Sequence, residues 1–305
     1  MDEIAPSPGE LATPTRTFIF GLADDAGRLA AGPLYDAAEA AGFTDTKLRL
    51  ALRRMSEAGL VIVEGRGRKA AIHLTPAGLA ARSPDLVWIG AAHRSDAGLD
   101  RWDGRWHLAA FEIPEHRRAA RDALRDQIVE LFGAHLAGGV YVTAFPWEAW
   151  LAAVTDVHGI RDRLTMTSTE RLDVGGRSDP LEIAAALWPV ADLDAEYRAF
   201  VVRWGTLPAA VPDDPAVAVR AAFEMSTEFD QVVRRDPILP DELLPREFAG
   251  PTARALYREA MQALSSHEIL ARANLVGSYE SAIEAALTEN ADDFWSLAFA
   301  ATSTR

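Results

Sequence analysis

A chain of 305 residues, 49% hydrophobic and 25% charged, has the balance of a protein folded into two or three domains, for which disorder is not the default. It contains no cysteine, so structural disulfides, thiolate zinc sites and cysteine nucleophiles are excluded. Its net charge of −14 opposes general adhesion to polyanions and makes any local cluster of cations informative.

Residues 1–15 carry three acids and three prolines in place of a basic start and an apolar core, and read as a loose tail without an export signal. No apolar run approaches the roughly 20 residues that span a bilayer, and the expected compartment is the cytoplasm. Two short helical stretches follow, around Phe18 to Leu22 and Leu34 to Gly42. Next, Leu48, Ala51, Leu52 and Met55 recur at i, i+3, i+4 and i+7, the spacing of one helix face. Thr44 or Asp45 can cap this helix and Gly59 can end it, which sets its span at about 45–58. Leu60 to Val63 and Ala70 to Leu74 are short β-type runs separated by a tip reading Arg66-Gly67-Arg68-Lys69. Helix, helix, turn, helix, hairpin over residues 16–82 is the order of a winged helix-turn-helix.

The charge is uneven in a way that supports DNA binding. Residues 44–69 hold seven basic against three acidic side chains, a local +4. Residues 16–80 carry +2 and residues 1–15 carry −3, which leaves −13 for residues 81–305. Counterion release by clustered Lys and Arg drives phosphate binding, while an acidic remainder suppresses indiscriminate adsorption. The candidate DNA-binding residues are Thr46, Lys47, Arg49, Leu50, Arg53 and Arg54 on the helix and Arg66, Arg68 and Lys69 on the wing. The first five helix positions other than Arg54 are expected nearest the bases; Arg54 and the wing are expected on the backbone or in the minor groove. The bland reading of either element alone is a solvated helix face or turn.

Arg82-Ser83-Pro84 and the Gly-, Asp- and Arg-rich stretch after Gly90 read as a connector over residues 83–99. From residue 100 strands alternate with helices: a strand at Trp106 to Ile113, a helix from Pro114 through Phe132, a strand at Gly139 to Thr143, a helix at Trp147 to Val157 and a strand around Arg163 to Leu172. A ferredoxin-like α+β middle domain at residues 100–178 fits this series. Residues 179–305 read as a helical carboxy-terminal domain broken by prolines. The expected fold class is α+β.

Several of these segments carry a resemblance spanning nearly the whole chain. Arg16-Thr17-Phe18-Ile19-Phe20-Gly21-Leu22, the helix Leu48 to Met55 and Leu74-Thr75-Pro76-Ala77-Gly78 resemble the amino-terminal domain of the PaaX family of bacterial transcriptional regulators. Trp102-Asp103-Gly104-Arg105-Trp106, Pro114-Glu115 to Arg118 and Gly138-Gly139-Val140-Tyr141-Val142 resemble its middle segment, and Asp236 through Pro245 its carboxy-terminal signature. The founding members repress phenylacetate-breakdown genes and release DNA on binding phenylacetyl-CoA. The resemblance therefore implies a ligand-responsive repressor, with an aryl acyl-CoA thioester as the kind of effector and its pocket residues unknown. Arg53 and Leu50 depart from the small hydroxyl and small polar residues usual in relatives, which implies a different operator preference. Ala23-Asp24-Asp25 also departs from the usual glycine, acid and aromatic, which bears on packing of the first helix.

Enzyme signatures are missing. The seven histidines are scattered with no His-Glu-x-x-His pair, and no phosphate loop or Gly-x-Ser-x-Gly elbow is present. No catalytic residue, metal or cofactor is expected. A metal-dependent nuclease on the ferredoxin-like fold is the enzyme reading retained, with Asp103 its one suggestive acid and a turn role the plainer reading. The basic run His116, Arg117, Arg118, Arg121 and Arg125 is interleaved with Glu115, Asp122 and Asp126, as in a mixed-charge solvated face. Trp102, Trp106, Trp147, Trp150, Trp188 and Trp204 read as core anchors before they read as an effector pocket. The expectation is a homodimeric repressor on a palindromic double-stranded DNA operator, with a small-molecule effector. The competing class is a protein-interaction module whose winged helix no longer binds an operator.

Overall fold

A computed structural model describes residues 14–272, 277–290 and 294–295. The chain forms two compact units, each built from separated stretches. One takes residues up to Gly90 with Tyr197–Arg234 and Pro251–Ala286; the other takes Ala91–Glu196, Arg235–Gly250 and residues from Leu287 on.

The first unit opens with helix α1 (Pro14–Gly21), strand β1 (Arg28–Ala30) and helices α2 (Ala31–Ala40) and α3 (Asp45–Glu57). The tail reading of residues 1–13 lies outside the described residues, but Pro14 and Thr15 already belong to α1 and Thr15 is buried. Strands β2 (Val61–Glu64) and β3 (Ala71–Leu74) pair antiparallel, and β1 adds to the far side of β3 in the order β1-β3-β2. Three residues with one buried side chain are too short a period to reveal β1 in the sequence. The fully buried Ile19, Leu34, Leu48 and Ile72 bring α1, α2, α3 and β3 to one core.

Helix α4 (Pro76–Asp96) runs through most of residues 83–99, the segment read as a connector, and the two units divide within it between Gly90 and Ala91. The helix continues across Pro84, which costs it a backbone hydrogen bond but does not end it. Tertiary anchors offset that cost: Arg82 donates to the carbonyls of Ala23 and Asp24 at 3.2 and 3.0 Å, and Trp88 meets Phe229 edge to face. At the start of α4, a Cβ on Gly78 would fall 2.1 Å from the Leu60 carbonyl oxygen, so Thr75-Pro76-Ala77-Gly78 needs its glycine for close approach to the wing.

The second unit contains β4 (Trp106–Phe111), α5 (Arg118–Glu130), β5 (Ala134–Ala137), β6 (Val140–Thr143), α6 (Glu148–Val157) and β7 (Leu164–Thr169). The sheet is antiparallel in the order β5-β6-β4-β7, the ferredoxin-like topology. The sequence reading lacked β5, whose four residues carry a register irregularity before the Gly138-Gly139 turn. A Cβ on Gly139 would meet the Phe111 carbonyl oxygen at 2.1 Å, which fixes glycine where this hairpin crosses β4.

The two faces of this sheet are covered differently. Ala109, Tyr141 and Met166 pack with Leu124 and Ile128 of α5 and Leu151 of α6. Trp106 and Val142 turn the other way, onto Ile183 and Ala184 of α7 (Pro180–Leu187), Trp188, Leu239 and Leu243. The Asp236-to-Pro245 signature thus helps to close the second face. Helix α8 (Val190–Trp204) follows α7. In the first unit, α9 (Pro215–Val233), α10 (Gly250–Leu264), α11 (Glu268–Arg272) and α12 (Gly277–Thr288) complete the helical region, with α9 and α11 against α2. Residues 179–305, read as one carboxy-terminal domain, are therefore shared between the two units. Helical periodicity reports which face is buried, not against which partner.

Candidate nucleic-acid interface

Helix α3 begins where Thr44 Oγ1 accepts the backbone N–H of Lys47 at 3.3 Å. Leu48, Leu52 and Met55 are buried, and the opposite face presents Thr46, Lys47, Arg49, Leu50, Arg53 and Arg54 to solvent. Arg49 pairs with Asp45 at 3.2 Å and Arg53 with Glu57 at 2.9 Å, each one turn away on the same helix. Such exposed pairs contribute little and leave both guanidiniums easily re-aimed. Among the described residues, Lys47 and Arg54 have no ion-pair partner.

The segment read as the wing is a β2–β3 hairpin in register Val61↔Leu74 to Glu64↔Ala71, with a short 3-10 turn at Gly67–Lys69. Gly65 at φ 88° and Gly67 at φ 62° supply the left-handed backbone that frames the exposed Arg66. Arg68, one of the expected wing cations, is also engaged within the protein. Its guanidinium bonds the Asp36 carboxylate, lies 3.6 Å from Glu39 and sits 5.9 Å over the Tyr35 ring, all on α2. With the Ala31 N–H donating to the Ala70 carbonyl at 3.0 Å, it fastens the wing to α2. Arg66, Arg68 and Lys69 are all exposed at the tip, and of the three Arg68 is the one paired with α2. The pairing partners of Arg68 lie 32 and 29 residues upstream, beyond the reach of local sequence reasoning.

The other candidate groups, Trp204 of the first unit apart, lie in the second unit. Asp103 accepts the Arg105 N–H at 2.8 Å and bonds His107 Nε2 at 3.0 Å, while Glu148 holds His107 Nδ1 at 2.7 Å. Burial of His107 opposes its charged form, but hydrogen bonds and attraction from Glu148, then Asp103, outweigh this and raise its pKa above 6.5. Glu148 is held below its ordinary 4.5 because the His107 hydrogen bond outweighs its own burial. Folding stability from this triad is therefore complete between about pH 4.5 and 6.5. It declines as pH rises through the raised His107 pKa and as pH falls through the lowered Glu148 pKa. In His107→Gln, urea denaturation across pH 5 to 9 is expected to show a flattened alkaline decline and an overall loss of about 1–2 kcal/mol.

Arg117 donates to the carbonyls of His158 and Gly159 at 2.9 Å, and Arg121 pairs with Glu115 at 2.8 Å, so much of the basic run after Pro114 serves internal bonds. Trp106, Trp147, Trp188 and Trp204 are buried, and Trp106 lies between Trp102 and Trp188 with centroids at 5.3 and 6.3 Å. These tryptophans are core anchors. An open cleft of about 310 Å³ lies among Phe111, Ile113, Arg121, Arg125, Gly139 and Tyr141. Among the described residues no helix is long and apolar enough to cross a membrane.

Comparison with known proteins places this arrangement. Residues 99–183 match the family description "PaaX protein central Cas2-like domain", and residues 188–271 match "PaaX-like protein C-terminal domain". These two domains in this order define a class of α+β regulators. The chain belongs to the PaaX family of transcriptional regulators. It is 26% identical over 240 residues to the transcriptional repressor PaaX of Escherichia coli (strain K12), covering 77% of this chain and 74% of that protein. An uncharacterized protein from Mycobacterium tuberculosis shares the fold at a TM-score of 0.54 and 20% identity, covering 88% of this chain and 98% of that one.

Proposed function

We propose that the chain is a ligand-responsive repressor that binds a double-stranded DNA operator through α3 and the wing. The observation that carries this reading is the solvent-facing row of Thr46, Lys47, Arg49, Leu50, Arg53 and Arg54 on a capped helix whose reverse face is buried. In this reading α3 lies in the major groove, Lys47, Arg49 and Arg53 meet base edges, and Arg54, Arg66 and Lys69 contact the backbone. Arg68 acts at one remove, by holding the wing. The protein works in the cytoplasm as a homodimer on a palindromic site, and an aryl acyl-CoA thioester releases it, as its family membership suggests. No reaction is assigned to the chain.

Fluorescence anisotropy with duplexes from upstream of its own and neighbouring genes, across a salt series, tests the proposal. Saturable binding whose log affinity falls steeply with log salt, and which an aryl acyl-CoA removes, is the expected result. Weak binding indifferent to sequence would favour the protein-interaction module instead.

A further inference from the structure

The turn between α2 and α3 reads Ala41-Gly42-Phe43-Thr44, and Phe43 stands immediately before the Thr44 cap. A hydrophobic residue at that position fixes the angle at which the chain enters a helix. Its backbone is pinned, because Gly42 turns at φ 85° and the Phe43 N–H donates to the Ala38 carbonyl at 2.8 Å. Its ring, however, is held by a residue from far along the chain. Phe223 of α9 meets Phe43 edge to face at 4.9 Å and Phe18 of α1 at 5.7 Å, while Phe18 and Phe43 lie 5.1 Å apart. The three rings form a closed triangle.

Other contacts in the same unit show that the helical region is built into this element. Ile269 of α11 packs against the core that contains Leu48 and Leu52 of α3. Ser281 of α12 donates to the Asp25 carboxylate at 2.8 Å. Helix α2 thus carries the wing through Asp36 and Glu39 and also meets α9 and α11.

From this geometry we infer that Phe223 is a positioning residue for operator recognition: its ring sets the orientation of α3 through Phe43. The inference rests on the DNA-binding reading above. Phe223 touches no DNA in this scheme. Its loss lets α3 rock about its entry point, which misaligns bidentate base contacts while leaving flexible Lys and Arg side chains able to follow phosphates.

The test uses the full chain. Duplexes are enriched from a random pool by the wild-type protein, and affinities for the enriched duplex and a scrambled one are measured across a salt series. Phe223→Ala, Phe223→Leu and Phe223→Tyr are compared with wild type, alongside thermal melts. The ratio of the two affinities is expected to fall about tenfold in Phe223→Ala and Phe223→Leu, the size of a lost aromatic pair. Scrambled-duplex affinity and salt slope should stay unchanged, and Phe223→Tyr should restore the ratio. An unchanged ratio in a folded Phe223→Ala overturns the inference, and if that variant does not fold, Phe223→Leu decides. An equal fall in both affinities also overturns it, in favour of plain packing. A wild-type protein that enriches no duplex overturns the DNA-binding reading itself, which separates the two failures.

Discussion

Replacing Arg53 and Arg54 together with alanine is expected to lower affinity for the operator about a hundredfold at near-physiological salt, with the thermal midpoint nearly unchanged. Both side chains are exposed on α3, and the one ion pair given up, Arg53 with Glu57, is solvent-screened. The single changes should differ in kind. Arg53→Ala should relax discrimination among duplexes, because a bidentate base contact carries sequence information. Arg54→Ala should weaken all duplexes alike and reduce the salt slope by about one, the signature of a lost phosphate contact. Arg68→Ala offers the contrast. It releases the wing from Asp36 and Glu39, so faster amide exchange over residues 65–70 should accompany any loss of affinity. Anisotropy titrations at several salt concentrations measure the binding effects.

The second large effect concerns stability. Arg94 on α4 is 2% exposed and grips Asp100 through two hydrogen bonds of 2.9 Å, with a third to the Glu289 carbonyl at 2.8 Å. Its guanidinium also sits 5.0 Å over the Phe294 ring. Arg94→Met leaves the Asp100 carboxylate buried beside an apolar chain, which is expected to cost about 3–5 kcal/mol. Arg94→Met with Asp100→Leu should recover much of this loss, because removing both charges also removes the desolvation penalty. Urea denaturation midpoints at neutral pH decide between these outcomes.

What the sequence disclosed divides along a physical line. The buried stripe Leu48, Leu52 and Met55, the Thr44 cap and the β2–β3 hairpin are local patterns, and each stands within a residue or two of its expected place. The α+β character of the middle segment was legible, β5 apart, because its strands and helices alternate over short distances. Arg68 shows where such reading ends: its charge and position match those of Arg66, yet its partners are 29 and 32 residues away. The helical state of the segment read as a connector escaped sequence reading for a related reason. Pro84 and the glycines after it are local breakers, whereas the anchors that keep α4 helical, Arg82 on the Ala23 and Asp24 carbonyls and Trp88 on Phe229, are long-range. Phe223 carried no local mark at all, since an aromatic on a long amphipathic helix reads as core.

The interleaving of the first unit bears on the order in which the protein matures at the ribosome. Its stretches end at Gly90, Arg234 and Ala286. When α3 and the wing have emerged, the helices bearing Phe223, Ile269 and Ser281 have not yet been made. The nascent chain therefore carries its cationic face without the contacts that align it until those helices have been made. In the proposed reading, operator recognition becomes available only once α9 has been made, so a product terminated before it retains the charge of the recognition face but not its aim.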